Sequence, residues 1–438
     1  MINKEILKEI IIEQKRLFLN VQNSYKRQIL TSDDFMNKTL KTREIIIITG
    51  VRRCGKSYLM KLIWQKIKKE KKIKEKQCLC FNFEDERLVN FNSNDFNTVI
   101  ESYLELLEPN TEETIYFFFD EIQNIQNWDK FLNRLRENKR YKIFVSGSNA
   151  TLLSKEISSK LTGRNIQIKL HPFSFKEYIW IKMPKFQKND VYFQKEKIKI
   201  KNLFTEYLEN GGFPEIIKTG YRPLLQEYFK NIIYRDIVLR YRIKQEASLR
   251  EITNFLLTNT GTALSLEEIS KMTRTTNINT VKSYLEYLKD SFLFSVVPVY
   301  DYSIKKQIYN PDKTYICDLG IYAELGFKFS QNAGKILENF VFNELQIKHT
   351  QIYYGPKIEK NGEIDFVVTE KNKVTKLLQV CYNLSNPKTE ERETTALLNT
   401  MKHYKLKQGT IFTDDTEKEK KYSEGNVSFV PAWKYFLK

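Results

Sequence analysis

The segment Glu44–Met60, EIIIITGVRRCGKSYLM, constrains this chain more than any other stretch. Four isoleucines run into Gly50, two arginines and a cysteine, and then Gly55, Lys56 and Ser57. A continuous apolar run of this kind reads as a strand buried on both faces, and such strands belong to parallel sheets covered by helices. The cationic, glycine-bounded loop that follows is either a tight turn or a cradle for an anion. The spacing G-x-x-x-x-G-K-[ST] from Gly50 to Ser57, opening the helical stretch SYLMKLIWQKI, predicts the cradle. Glycines let successive N–H groups turn inward, and the helix N-terminus adds partial positive charge. Lys56 is then expected on the β and γ phosphates of ATP, and Ser57 on Mg²⁺. Gly50, Gly55 and the main chain of Val51, Arg52, Arg53 and Cys54 form the rest of the cradle, with Tyr58 next to it on the helix. The two arginine side chains balance local charge, and Cys54 fills space.

A phosphate loop of this type needs an acidic partner at the end of another central strand. TIYFFFDEIQN supplies Asp120 for the metal and Glu121 to activate water. CLCFNF and YKIFVSGS read as further strands of the same sheet, each set apart by a stretch long enough for a crossover helix. Ser148 or Asn149, after the last of these, is placed either to hydrogen-bond the attacking water or γ-phosphate, or to cap the helix ATLLSKEI. Arg164, in KLTGRNIQI, is either an arginine finger, in cis or from a neighbouring subunit, or a surface arginine.

The chain has 438 residues, which predicts two to four domains, and its 41% hydrophobic content is enough to fill them. Five scattered cysteines and three separated histidines match neither a disulfide framework nor a zinc-ligand spacing. The charged N-terminus lacks a signal-peptide pattern, and no long uninterrupted apolar run occurs, so a cytoplasmic protein without a membrane partner is expected. A net charge of +18 favours polyanions, although the lysines are spread along the chain and mixed with glutamates. The first forty residues read as a helix with apolar Ile6, Ile10, Ile11 and Leu17, followed by a polar connector. Residues 184–202 read as a lysine-rich connection without a clear period, and a mainly helical piece follows to about Arg250. In 251–312, a helix capped by Ser265, a turn near 274–279, a helix with Val281, Tyr284, Leu285 and Leu288, and trailing strands give the order of a winged helix-turn-helix. Lys271, Arg274 and Lys282 fall on or near its reading face, which makes double-stranded DNA a partner to test.

GVRRCGKS, FFFDEIQNIQNW, VSGSNATLLSKE, LTGR, HPFSFKEY and ENGGFPEI together resemble the prokaryotic AAA-type ATPases that carry a C-terminal nuclease-like domain of unknown function. YICDLGI and LLQVCYNLSNPKTEERE extend the likeness over nearly the whole chain. The resemblance assigns Gly50, Gly55, Lys56 and Ser57 to Walker A, and Asp120 with Glu121 to Walker B. It places Gly212-Phe213-Pro214 at the turn by which related ATPases sense nucleotide from a helical lid. It also implies a restriction-endonuclease-like C-terminal fold, whose chemistry needs an Asp followed by Glu-x-Lys on the next strand. Asp365 and Glu338 suit the acids, but Gln379 stands at the glutamate position and Cys381 at the lysine position, so cleavage is not expected.

The resulting expectation is an α/β protein with a P-loop parallel sheet covered by helices on both faces, a helical lid, a winged helix and a degenerate nuclease-like α/β domain. Its expected segments are a helical 1–40, an ATPase core 41–181, linker and lid 182–250, a winged helix 251–312 and a nuclease-like 313–438. Its expected activity is Mg²⁺-dependent ATP binding and hydrolysis coupled to rearrangement of the later domains, with a homo-oligomer left open. The alternatives are an ATP-gated DNA-binding regulator with little hydrolysis and an ATP-dependent nuclease.

Overall fold

The computed structural model describes residues 2–20, 25–31, 39–147, 164–275, 277–326, 333–356, 358 and 362–438. The chain divides into two compact units, residues 1–171 and 172–438.

The first unit contains helix α1 (Lys4–Leu19), strand β1 (Ile45–Thr49), α2 (Lys56–Lys71), β2 (Cys78–Asn82), α3 (Phe96–Leu107), β3 (Ile115–Asp120), α4 (Trp128–Arg136), β4 (Tyr141–Gly147) and β5 (Asn165–Lys169). All five strands are parallel, in the order β2-β3-β4-β1-β5. The apolar runs explain this arrangement. Ile45 to Ile48 are each 0% exposed, as are Phe117 and Phe119, and burying each such side chain stabilises by about 1.5–3 kcal/mol. Phe96 of α3 stacks on Phe131 of α4 at 4.1 Å over one face of the sheet.

Two expectations need correction here. The buried face of α1 is Leu7, Ile10, Ile11 and Phe18, whereas Ile6 and Leu17 are exposed. Positions 7, 10, 11 and 18 keep the helical period; Leu7, Ile10 and Ile11 pack into the same core as Phe81, Phe83 and Phe96, and Phe18 meets Phe118 of β3, so α1 belongs to the sheet unit rather than to a separate segment. The fifth strand was not expected. Its half-exposed edge position lets polar residues alternate with Ile166 and Ile168, which hides it among the loops.

The second unit begins with α5 (Phe175–Lys182), α6 (Gln194–Asn210), α7 (Pro214–Thr219) and α8 (Leu224–Asn231), which runs on into a π-helical stretch, Ile232–Val238. Helix α6 starts inside the stretch read as a connector and buries Ile200, Phe204 and Tyr207. Next come α9 (Glu246–Thr258), β6 (Ala263–Leu264), α10 (Leu266–Met272), α11 (Ile278–Asp290), β7 (Phe294–Val297), α12 (Ile304–Tyr309) and β8 (Asp312–Ile316). Ser265 caps α10 through a capping box with Glu268, and α11 buries Val281, Tyr284 and Leu288. Strands β6, β8 and β7 form an antiparallel three-stranded sheet in that order, so β8 belongs with the preceding helices although the expected boundary fell at its start.

The chain continues through α13 (Leu319–Leu325), α14 (Ala333–Lys348), β9 (Ile352–Tyr353), β10 (Phe366–Glu370), β11 (Lys373–Val380), α15 (Pro387–Tyr404), β12 (Gln408–Thr413), β13 (Lys418–Lys421), β14 (Asn426–Pro431) and α16 (Ala432–Leu437). Its sheet is mixed, in the order β13-β14-β12-β11-β10-β9. Three separated sequence motifs meet in this unit. Phe173 N–H donates to the Gly212 carbonyl at 2.7 Å, and Gly212 N–H donates to the Asp318 carboxylate at 2.6 Å. A Cβ on Gly212 would lie 2.2 Å from the Phe173 carbonyl oxygen, so close backbone approach accounts for that glycine. Pro214 opens α7 at its first turn, where a missing N–H costs nothing.

Candidate functional site

The carboxyl ends of the parallel strands gather the residues of interest. Asp120 pairs across the ladder with Asn82 on one side and Ser146 on the other, and Thr49 pairs with Gly147. This edge is where open α/β sheets bind ligands.

The loop from Gly50 to Gly55 leaves β1 and turns directly into α2. Gly50 has φ +149°, and a Cβ there would sit 2.1 Å from the Leu170 carbonyl oxygen. Gly55, at the N-cap of α2, has φ +98°. Arg53 also has positive φ, at 69°. Cys54 is fully buried with its thiol directed at the Leu170 carbonyl, and burial raises its pKa, which suits a filler. Arg52 lies 3.8 Å from Glu84, in keeping with local charge balance. Tyr58 is half-buried, and burial raises its pKa.

Lys56 is 5% exposed, and its ammonium donates to the Gly50 carbonyl at 3.0 Å and the Val51 carbonyl at 3.1 Å. Neutral carbonyls hold the lysine inside its own loop. Ser57 is exposed at the start of α2 and lines, together with Asp120, a cavity of about 250 Å³ also walled by Gln14, Phe18 and Met60. A hydroxyl and a carboxylate lining one cavity, at the start of the helix that carries Lys56, are donor types that suit a metal-bound phosphate chain.

Glu121 follows β3 in the left-handed region, φ +52°, a conformation that costs a non-glycine residue about 1–3 kcal/mol and is retained where the surroundings impose it. Its N–H donates to the Ser146 carbonyl at 3.0 Å. Burial raises the Glu121 pKa; Asp120 and Glu84 add to the rise, while Lys56 and the Gln123 amide oppose it. The Gln123 amide donates to the Glu121 carboxylate, and the Ser146 hydroxyl donates to Asp120. Neither Gln123 nor Ser146 was singled out in the sequence. A serine closing the continuous apolar run Ile143–Val145 is the signal that could have flagged Ser146.

Ser148 and Asn149 lie outside the described residues. For Arg164 the geometry bears on one alternative, the finger in cis. Its carbonyl accepts from Ile45 N–H, at the opposite end of β1 from Gly50, and its guanidinium lies 3.7 Å from Glu137. Five ladder pairs separate the two ends of β1, so Arg164 does not serve as a finger to its own loop. Pro214 lies in the other unit.

In the second unit Lys271, Arg274 and Lys282 are all exposed. Asp365 precedes β10 instead of ending a strand, and it stands opposite Gln379 on β11. Val380 N–H donates to the Asp365 carboxylate at 2.9 Å, and Asp365 N–H donates to the Gln379 side chain at 3.1 Å. The Cys381 thiol points to the Asn383 carbonyl at 3.5 Å, and burial pushes its pKa up to about 11. Among the described residues no group of three or more His, Cys, Asp or Glu side chains is arranged to hold a metal. Nor is any helix among them long and apolar enough to cross a membrane.

Residues 42–179 match the AAA domain family, and residues 201–332 match a domain of unknown function, DUF8612. An uncharacterised protein of Methanocaldococcus jannaschii is 33% identical over all of this chain and 96% of its own length. An uncharacterised protein of Haemophilus influenzae is 30% identical over 86% of this chain and 92% of its own. Among solved structures, AMPPCP-bound DnaA from Aquifex aeolicus is similar at 16% identity, covering 62% of this chain and 92% of that one, with a TM-score of 0.28. A likeness that low carries no functional weight.

Proposed function

The chain belongs to the family of the Methanocaldococcus jannaschii protein it matches from end to end, with a P-loop AAA-type domain at residues 42–179, and from that premise we propose that it binds ATP with Mg²⁺ and hydrolyses it. The observation that carries this reading is Lys56 resting on the Gly50 and Val51 carbonyls while Ser57 and Asp120 face one cavity. Lys56 exchanges two neutral acceptors for phosphate oxygens, a charge-assisted gain. Ser57 and Asp120 hold Mg²⁺, which supplies charge neutralisation on the phosphates when bound. Glu121 takes a proton from the attacking water, Gln123 orients its carboxylate, and Ser146 orients Asp120. Ser148 and Asn149 are assigned to the water or the γ-phosphate, Arg164 to a neighbouring copy's site, and Pro214 to a nucleotide-sensing turn.

The helices α9, α10 and α11 with the β6-β8-β7 sheet support a winged-helix reading, and the mixed sheet after them supports a nuclease-like fold without cleavage. The nucleotide state is proposed to bias how these later domains are arranged, in a cytoplasmic protein that forms a homo-oligomer. A second reading, an ATP-gated regulator that binds double-stranded DNA, is favoured by the exposure of Lys271, Arg274 and Lys282 on one helix-turn-helix. Steady-state ATPase rates with and without DNA, beside Glu121→Gln, distinguish the two. Hydrolysis lost in Glu121→Gln supports the enzyme. Equal rates in wild type and variant reject the catalytic assignment. Light scattering with a non-hydrolysable ATP analogue tests assembly.

A further inference from the structure

The nuclease-like resemblance implies a divalent metal among Asp365, Glu338 and their neighbours, and the residues present do not fit one. Lys313 lies on β8, paired with Ala263 of β6 and Val297 of β7, yet its ammonium leaves that sheet for a cluster built by the C-terminal part of the unit. It stands 3.0 Å from Glu363, 3.1 Å from Glu338 and 3.4 Å from Asp365. Its side chain is 3% exposed, and the Tyr354 ring lies 5.5 Å from the ammonium. Tyr315, two residues along the same strand and therefore on the same face, donates its hydroxyl to Glu338 at 2.6 Å. Gln379 is engaged at both ends of its amide, accepting from Asp365 N–H and donating to Glu393 at 2.6 Å.

We propose that Lys313 is an internal cation seated where a divalent metal would bind, and that it latches the β6-β8-β7 sheet to the C-terminal sheet. Mg²⁺ needs oxygens at about 2.0–2.1 Å in near-octahedral order, whereas an ammonium donates to three oxygens at ordinary hydrogen-bond lengths. A metal entering this cluster would lie within a few ångströms of Lys313 and be repelled by it in a low-dielectric setting. The carboxylates in turn depend on Lys313, because buried charges without a partner are strongly destabilising. The residues implied by the nuclease pattern are thereby turned from a reaction centre into an ionic joint. This inference is independent of the ATP-binding reading.

The test uses the full chain without nucleotide, with Mn²⁺ as the probe, read by electron paramagnetic resonance and thermal melting. Wild type and Asp365→Asn are expected to take up Mn²⁺ equally. Lys313→Met is expected to melt several degrees lower than wild type, and adding Glu338→Gln and Asp365→Asn to it should recover most of that loss. A wild-type Mn²⁺ site abolished by Asp365→Asn overturns the proposal, as does a Lys313→Met chain that melts like wild type. If Lys313→Met does not accumulate folded, the Mn²⁺ comparison of wild type with Asp365→Asn still decides.

Discussion

Two buried lysines, Lys56 and Lys313, have opposite surroundings. Lys56 rests on two main-chain carbonyls at 3.0 and 3.1 Å, while Lys313 sits among three carboxylates at 3.0–3.4 Å. Neutral acceptors release an ammonium to a phosphate at little cost, because charge-assisted bonds are roughly twice as strong as those they replace. Fixed carboxylates do not. Burial lowers the Lys313 pKa, but Glu338, Asp365 and Glu363 outweigh it and hold the group well above its ordinary value. On the proposed reading, the same side chain serves as a ligand-seeking cation in one unit and as a structural counter-ion in the other, according to whether its hydrogen-bond partners carry charge.

Substitutions can break this contrast. Lys56→Ala is expected to lower the kcat/KM for ATP by about 10³-fold or more, since a preorganised cation on the phosphates is lost, with thermal stability little changed. Lys313→Met should do the reverse, lowering unfolding stability in urea by about 3–5 kcal/mol while ATP affinity stays as in wild type. Equal effects of the two variants on ATP affinity would erase the distinction. Glu121→Gln should reduce kcat by about 10²-fold at unchanged ATP affinity, separating the proton acceptor from the phosphate cradle.

Two pH effects sharpen the picture. Because the Glu121 pKa is raised, and a base works deprotonated, ATPase activity should climb with pH through a limb above the usual glutamate range. Gln123→Ala removes a hydrogen bond that opposes the rise, so pH–rate profiles should show the limb moving further up. Glu344 gives the smallest effect. Burial raises its pKa to about 8 although its carboxylate accepts from Phe175 N–H at 2.7 Å; Glu177 adds to the rise, and Lys348 and Lys176 oppose it. A folded pKa above the unfolded one means that the native state binds more protons between them, so this contribution to stability is present at low pH and fades as pH rises through about 8. Melting scans of Glu344→Gln should show a shallower decline over that window.

How much of this could be read in the chain followed from the range of the interactions. The runs IIII and FFF announced β1 and β3 because both faces of those strands are buried, and the phosphate loop follows from local spacing alone. Strand β5 is hidden in the sequence because it alternates at an edge, and the start of α6 because lysines dilute its period. On α1, Ile6 and Leu17 fall outside the buried face, where neighbouring apolar residues compete for one stripe. Ser146 meets Asp120 from 26 residues away, and Lys313 meets Glu338 and Asp365 from 25 and 52 residues away, pairings that only the folded sheets create.

The central claim is that the Gly50–Ser57 loop grips a metal-bound triphosphate with Lys56. Isothermal titration of ATP with Mg²⁺ into the whole chain, beside Lys56→Ala, tests it most directly. The account predicts saturable binding at one site in wild type and its loss in the variant. No binding in wild type, or the same affinity in both proteins, would contradict it.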